Sequence, residues 1–181
     1  MKTYKLLTPG PLTTTDSVKQ EMLFDHCTWD EDYKQITQRI RRELLQLAHV
    51  DETAYTTVLM QGSGTFGVES VISSVIPDDG CLLLLSNGAY GERIAAMCRY
   101  HHISCVHIAQ DYDKIPDRMK AEEALKQHPE ITHIAMIHSE TTTGILNDIQ
   151  SIGELAKTYH KVFIVDAMSS FGGVDIQVGE L

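Results

Sequence analysis

The sequence lacks the features that announce a membrane span, a metal centre or a disulfide scaffold. Its longest apolar runs, such as Leu82–Leu85 and Val162–Val165, have the length of strands and fall far short of a bilayer span. The N-terminal Met-Lys-Thr-Tyr-Lys is basic, but no apolar stretch follows, so it does not read as a secretory signal. The four cysteines, Cys27, Cys81, Cys98 and Cys105, form no CxxC pair. They read as reduced, mostly buried thiols of a cytoplasmic protein. Nine histidines are present, yet none stands in HExxH or beside a cysteine pair, and the adjacent His101 and His102 point to different faces. No metal site is expected. Positive charge is scarce: 15 Lys and Arg against 25 Asp and Glu give a formal net charge of -10. That argues against a nucleic-acid partner, because a phosphate backbone needs a basic face.

What is present is the composition of a folded globular chain, 43% hydrophobic and 22% charged over 181 residues, enough for a sizeable core. Leu6 to Thr15 is rich in Thr, Pro and Gly and reads as an extended arm. From Asp30 to Leu47, Tyr33, Ile36, Ile40, Leu44 and Leu47 recur at helical spacing. Residues 1–50 are therefore expected as an arm and a helix, ahead of a domain over 51–181. In that domain strands at Thr56–Met60, Cys81–Leu85, Ile103–Ile108, His133–Ile137 and Val162–Val165 alternate with helices at Thr65–Ile76, Tyr90–Tyr100, Asp117–Gln127 and Asp148–Tyr159. Nearly continuous apolar strands separated by helices predict an α/β fold, a mostly parallel sheet with helices on both faces. Ligands in such folds bind beyond the carboxyl ends of the strands.

Four strand ends carry chemistry. After Met60 comes Gln61-Gly62-Ser63-Gly64-Thr65-Phe66-Gly67, in which glycines, hydroxyls and a helix N-terminus suit a phosphate. The segment also fits GxGxxG, but the next strand ends Ser86-Asn87-Gly88 without the acid a dinucleotide site uses on ribose. A plain strand-to-helix turn is an equal reading. Tyr90 stands where a flat ring can stack on an aromatic ligand or simply cap the core. His138-Ser139-Glu140-Thr141-Thr142-Thr143-Gly144 offers a cluster of hydroxyls, or a Thr-rich turn. Asp166 directly follows the last apolar strand, as a metal ligand, a general base, a cap, or the partner of a protonated ring nitrogen.

Taken in chain order, these segments resemble the class V aminotransferases of the aspartate-aminotransferase fold. The residues that carry the likeness are Leu7-Thr8-Pro9-Gly10-Pro11-Leu12-Thr13-Thr14, His26-Cys27-Thr28-Trp29-Asp30, Gly62 to Glu69, His138 to Gly144 and Asp166-Ala167-Met168-Ser169-Ser170-Phe171-Gly172-Gly173. The resemblance implies pyridoxal 5'-phosphate as cofactor. It implies that Ser63, Gly64 and Thr65 hold the phosphate and that Tyr90 stacks on the ring. Thr142 would bond the phenolic oxygen, Asp166 would pair with the ring nitrogen, and Met168 would pack under the ring. Gly10 and its arm would lie on the substrate side. The implied reaction moves an amino group from 2-aminoethylphosphonate to pyruvate, giving phosphonoacetaldehyde and alanine, in a cytoplasmic homodimer. Another class V activity, such as alanine-glyoxylate transamination, and a non-catalytic half of a split enzyme are the alternatives. The family's Schiff-base lysine lies roughly two dozen residues beyond the aspartate, as anchor and proton shuttle. Residues 167–181 contain no lysine, and the family's small C-terminal domain is not matched. The resemblance therefore covers the N-terminal part of such an enzyme, with an incomplete large domain expected to be inactive alone.

Overall fold

The computed structural model describes residues 4–8 and 10–181. Residues 1–3, which open the basic N-terminus, and Pro9 of the arm motif lie outside the described residues. The chain divides into two compact units, one ending at Leu59 and one running from Met60 to Leu181.

In the first unit the arm folds back on itself. Leu7 and Leu12 form an antiparallel bridge, and the Leu6 N–H donates to Thr13 Oγ1 at 2.7 Å. A short helix, α1 (Asp16–Glu21), precedes α2 (Glu31–Leu47). Glu31 and Asp32 place negative charge at the positive end of the α2 dipole. The predicted apolar stripe is present, but Tyr33, Ile36, Ile40 and Leu47 stay partly exposed. Arg41 ties the following segment to α2, donating to the Thr57 carbonyl at 2.9 Å and to Thr56 Oγ1 at 2.8 Å.

That segment corrects one sequence expectation. Thr56–Met60 is not a strand: no strand begins before Cys81 among the described residues. β-propensity measures fit to a paired, half-buried surface rather than a backbone preference. Here Val58 is 71% exposed, and no strand pairs with the run among the described residues.

The second unit is built on a four-stranded, all-parallel sheet of β1 (Cys81–Ser86), β2 (Ser104–Ala109), β3 (His133–Ile137) and β6 (Val162–Asp166), in the order β2-β1-β3-β6. A small antiparallel hairpin, β4 (Ser139–Glu140) with β5 (Ile145–Leu146), leaves the end of β3. Every residue of β1 is buried, which explains its unbroken apolar run. Its alternate side chains serve opposite faces. Leu83 and Leu85 pack with α5 (Arg118–Gln127) and α6 (Ile149–Thr158). Leu82 and Leu84 pack with α3 (Gly64–Val75) and α4 (Ala89–Tyr100). The expected sheet with helices on both faces is therefore observed. No described helix is long and apolar enough to cross a membrane.

Strand order locates the ligand crevice. The chain leaves β1 toward β2 on one side, then returns to add β3 on the other. Connections diverge between β1 and β3, and their carboxyl ends frame the opening that such sheets use for ligands.

Three of the nine histidines turn out to end helices. His49, His102 and His160 have φ of 55, 56 and 53° and follow the caps of α2, α4 and α6. Each lies in a Schellman pattern, seen in Val50 N–H to Leu45 O, Ile103 N–H to Cys98 O and Lys161 N–H to Ala156 O. This position usually holds glycine, because a Cβ disfavours the left-handed backbone.

Candidate functional site

Each residue singled out from the sequence, except Gly10, lies around the carboxyl ends of β1, β3 and β6 in the second unit. Gly10 lies in the arm of the first unit.

Ser63 caps α3, its Oγ accepting from the Phe66 N–H at 3.1 Å. Gly64 begins the helix against Met168: a Cβ there would fall 2.6 Å from Met168 Cε. Met168 thus sits over the start of α3, close enough that a side chain at Gly64 would push its terminal methyl aside. Thr65 faces α4, where Arg93 Nη1 donates to its Oγ1 at 2.8 Å. The same guanidinium lies over the Tyr90 ring, 4.7 Å from its centroid. One face of Tyr90 is therefore already covered by a cation.

On the other side of α4, Gly88 lets the hairpin close in. A Cβ at Gly88 would overlap the Glu140 carboxyl group and come 2.7 Å from Thr142 Oγ1. Thr142 Oγ1 donates to Glu140 Oε1 at 2.6 Å and accepts from the Ala89 N–H at 3.3 Å. Asp166 ends β6 in register with Ile137. Its Oδ1 accepts from the Met168 N–H at 2.9 Å, and Oδ2 has no hydrogen-bond donor among the described residues. Burial is the chief reason that its carboxyl is held above the usual range; the Met168 N–H opposes this, and the negative Glu140 adds to the rise. A half-buried acid with a free oxygen is suited to a cationic N–H partner.

The structure also brings in residues that the sequence did not single out. Glu140 is fully buried, at 0% exposure. Asn87 and Asn147 form a buried reciprocal pair, with Nδ2-to-Oδ1 distances of 2.8 and 3.0 Å. Asn87 also donates to the Lys114 carbonyl at 2.9 Å, and Asn147 to the Ile137 carbonyl at 2.9 Å, which locks the ends of β1 and β3 together. Buried His138 bonds Ser170 Oγ through Nδ1 at 2.9 Å. Ser86, His107 and Glu92 have the composition of a nucleophilic triad but not its wiring. Ser86 Oγ donates to Glu92 Oε1 at 3.0 Å, and both groups meet the same His107 nitrogen, Nε2. The carboxylate therefore does not orient the imidazole from its far side. The only advance signal was position: Asn87 stands directly after β1, and Glu140 stands three residues beyond Ile137, the end of β3.

Similarity to known proteins gives the chain its family. Residues 26–181 match the model of aminotransferase class-V, and the chain belongs to that family. It is 56% identical over 181 residues to a 2-aminoethylphosphonate–pyruvate transaminase of Lysinibacillus sphaericus, covering 100% of this chain and 50% of the relative. It is 55% identical over 179 residues to the enzyme of the same name from Bacillus thuringiensis, covering 98% and 49%. The chain thus spans about half the length of the curated relatives it matches. Among solved structures, the fold is similar to pyridoxamine-pyruvate aminotransferase from Mesorhizobium loti (TM-score 0.86, 26% identity, 98% of this chain and 45% of that one). It is also similar to alanine–glyoxylate aminotransferase from Nostoc sp. (TM-score 0.88, 24% identity, 99% and 48%), a likeness of fold alone. Pyridoxal phosphate is the cofactor this family implies.

Proposed function

We propose that this chain carries most of the pyridoxal-phosphate cradle of an aminotransferase that moves the amino group of 2-aminoethylphosphonate to pyruvate. The observation behind the cofactor reading is the set of donors and acceptors around one crevice. The Ser63 and Thr65 hydroxyls and the first N–H groups of α3 form an anion cradle. The Arg93 guanidinium, bonded to Thr65, adds positive charge beside it. Across the opening stands Asp166, with one oxygen free for a ring N–H. Met168 and Tyr90 offer apolar and flat surfaces between them, and Thr142 offers a hydroxyl oxygen. In this reading residues 51–181 form an incomplete large domain behind an arm and helix at 1–50, with Gly10 on the substrate side. When bound, the cofactor supplies an electron sink for the bond broken at the amine-bearing carbon. The protein's part is to hold the phosphate, keep the ring nitrogen protonated through Asp166 and exclude water. The substrate pair rests on the 55–56% identity to transaminases of that name. A cytoplasmic homodimer belongs to the same reading.

Two measurements test it. Equilibrium dialysis of the 181-residue chain should show pyridoxal-phosphate binding that falls about tenfold or more in Asp166→Ala. This chain has no lysine after Lys161 and is expected to bind without turnover. In the longest natural form of the protein, alanine should accumulate from pyruvate with 2-aminoethylphosphonate as donor. A stronger preference for alanine and glyoxylate would replace this substrate reading with the alternative. No saturable cofactor binding by either form would remove the cradle itself.

A further inference from the structure

Arg93 is a cation without a carboxylate partner among the described residues, in a chain whose formal net charge is -10. The acids of the two helices beside it are committed elsewhere: Glu92 of α4 to Ser86 and His107, and Glu69 of α3 to His101. Two other contacts fix the guanidinium. Tyr90 and Arg93 stand an i, i+3 step apart on α4, so they share one helix face, and the guanidinium lies 4.7 Å from the ring centroid. Across to α3, Nη1 donates to Thr65 Oγ1 at 2.8 Å. Neither contact neutralises the charge.

The bond from Arg93 sets what the Thr65 hydroxyl can do. A threonine hydroxyl has one proton and two lone pairs, and here Arg93 occupies a lone pair. The proton has no acceptor among the described residues and is left for a ligand. Ser63 is held in the same way: its Oγ accepts the Phe66 N–H at 3.1 Å, and its own proton is free. The N–H groups of Gly64 and Thr65 complete a set of donors at the positive end of α3. All of these groups present protons, which suits a phosphate; an uncharged alcohol gains far less from them.

We propose that Arg93 is a positioning residue that selects the phosphorylated form of the cofactor: it acts through Thr65, holding Oγ1 as a hydrogen-bond donor to the phosphate. The identity of the ligand rests on the cofactor reading above; the mechanism rests on the contact between Arg93 and Thr65. Tyr90 holds the guanidinium in place for that contact. This differs from a guanidinium that simply grips the anion. A direct grip keeps its value whatever stands at position 65, whereas an effect carried by Thr65 disappears with the hydroxyl.

The test uses the 181-residue chain with pyridoxine 5'-phosphate and pyridoxine, a pair that differs by the phosphate and has no aldehyde to react with surface lysines. Arg93→Met keeps the length of the side chain and removes its donors and charge. Calorimetry should show it weakening the phosphorylated ligand about tenfold and pyridoxine less than about threefold. Thr65→Val should do the same, and Thr65→Ser, which keeps the hydroxyl, should stay within about threefold of the wild type. In a Thr65→Val background, Arg93→Met should weaken the phosphorylated ligand by less than about threefold more, since both changes remove one interaction. Arg93→Lys keeps the charge and a donor and should restore part of the phosphate preference. Equal weakening of both ligands by Arg93→Met makes the residue a general support and overturns the proposal. An undiminished effect of Arg93→Met in the Thr65→Val background also overturns it, in favour of direct contact with the phosphate. If Arg93→Met does not fold, Arg93→Ala carries the same cycle with the same two refuting outcomes. Inorganic phosphate, followed by ³¹P NMR, separates this proposal from the cofactor reading. If the wild-type chain ignores pyridoxine 5'-phosphate but binds phosphate in a way that Arg93→Met and Thr65→Val both weaken, the cofactor reading falls and the coupling of Arg93 to Thr65 stands. If it binds neither, both fall.

Discussion

Replacing Asn147 by leucine should cost this fold far more than a buried polar-to-apolar exchange of similar volume suggests. The side chain of Asn147 takes part in three hydrogen bonds: two with Asn87 at 2.8 and 3.0 Å and one to the Ile137 carbonyl at 2.9 Å. At about 1 kcal/mol net for each bond, their loss costs about 3 kcal/mol. Asn87 is almost completely buried, so its stranded Oδ1 adds about 1–3 kcal/mol of unrecovered desolvation. The expected loss is about 4–6 kcal/mol. With a urea slope of about 2 kcal/mol per molar, the unfolding midpoint followed by circular dichroism should drop by about 2 M or more. Asn87→Leu with Asn147→Leu should be less damaging than the sum of the single changes by about 1–3 kcal/mol, because neither partner then strands the other. A loss under about 1 kcal/mol for Asn147→Leu, or strict additivity in the double variant, would refute the claim that this pair locks β1 to β3.

Two further outcomes follow from the backbone and from burial. His160→Gly should stabilise the chain by about 0.5–1 kcal/mol, since glycine adopts the left-handed backbone at 53° more readily than histidine; a lower urea midpoint would contradict this. Burial holds the His133 and His138 imidazoles below their ordinary value of 6.5, so the unfolded chain takes up protons first as pH falls. Their contribution is fully present above about pH 6.5 and is lost as pH falls from there through the lowered folded values. Urea midpoints should therefore decline between pH 7.5 and 5.5, and less so in a His133→Gln, His138→Gln double variant. An equal decline in that variant would assign the acid sensitivity to other groups.

Much of this molecule follows from local pattern. The apolar run at Cys81–Leu85, the helical spacing of α2 and the alternation of strands and helices dictate a parallel sheet with two covered faces, because each period matches one backbone geometry. Ser63 at a helix start and Asp166 after an apolar strand were likewise visible, although the strand expected ahead of Ser63 is absent. Tertiary structure alone decided the rest. Thr56–Met60 has strand-forming residues but no pairing partner, and a sequence window cannot see an absent neighbour. The order β2-β1-β3-β6 places the crevice between β1 and β3, and strand order is a property of contacts between residues far apart in the chain. Glu140 and Asn147 look like ordinary hydrophilic loop residues. They became buried only because Gly88 lets the hairpin approach α4 and because partners 49 and 60 positions away meet them. Residue type and spacing determined which chemical groups this chain can offer; long-range packing determined which of them are dry, paired and aimed at one another, since burial and hydrogen bonding depend on neighbours that the local sequence does not contain.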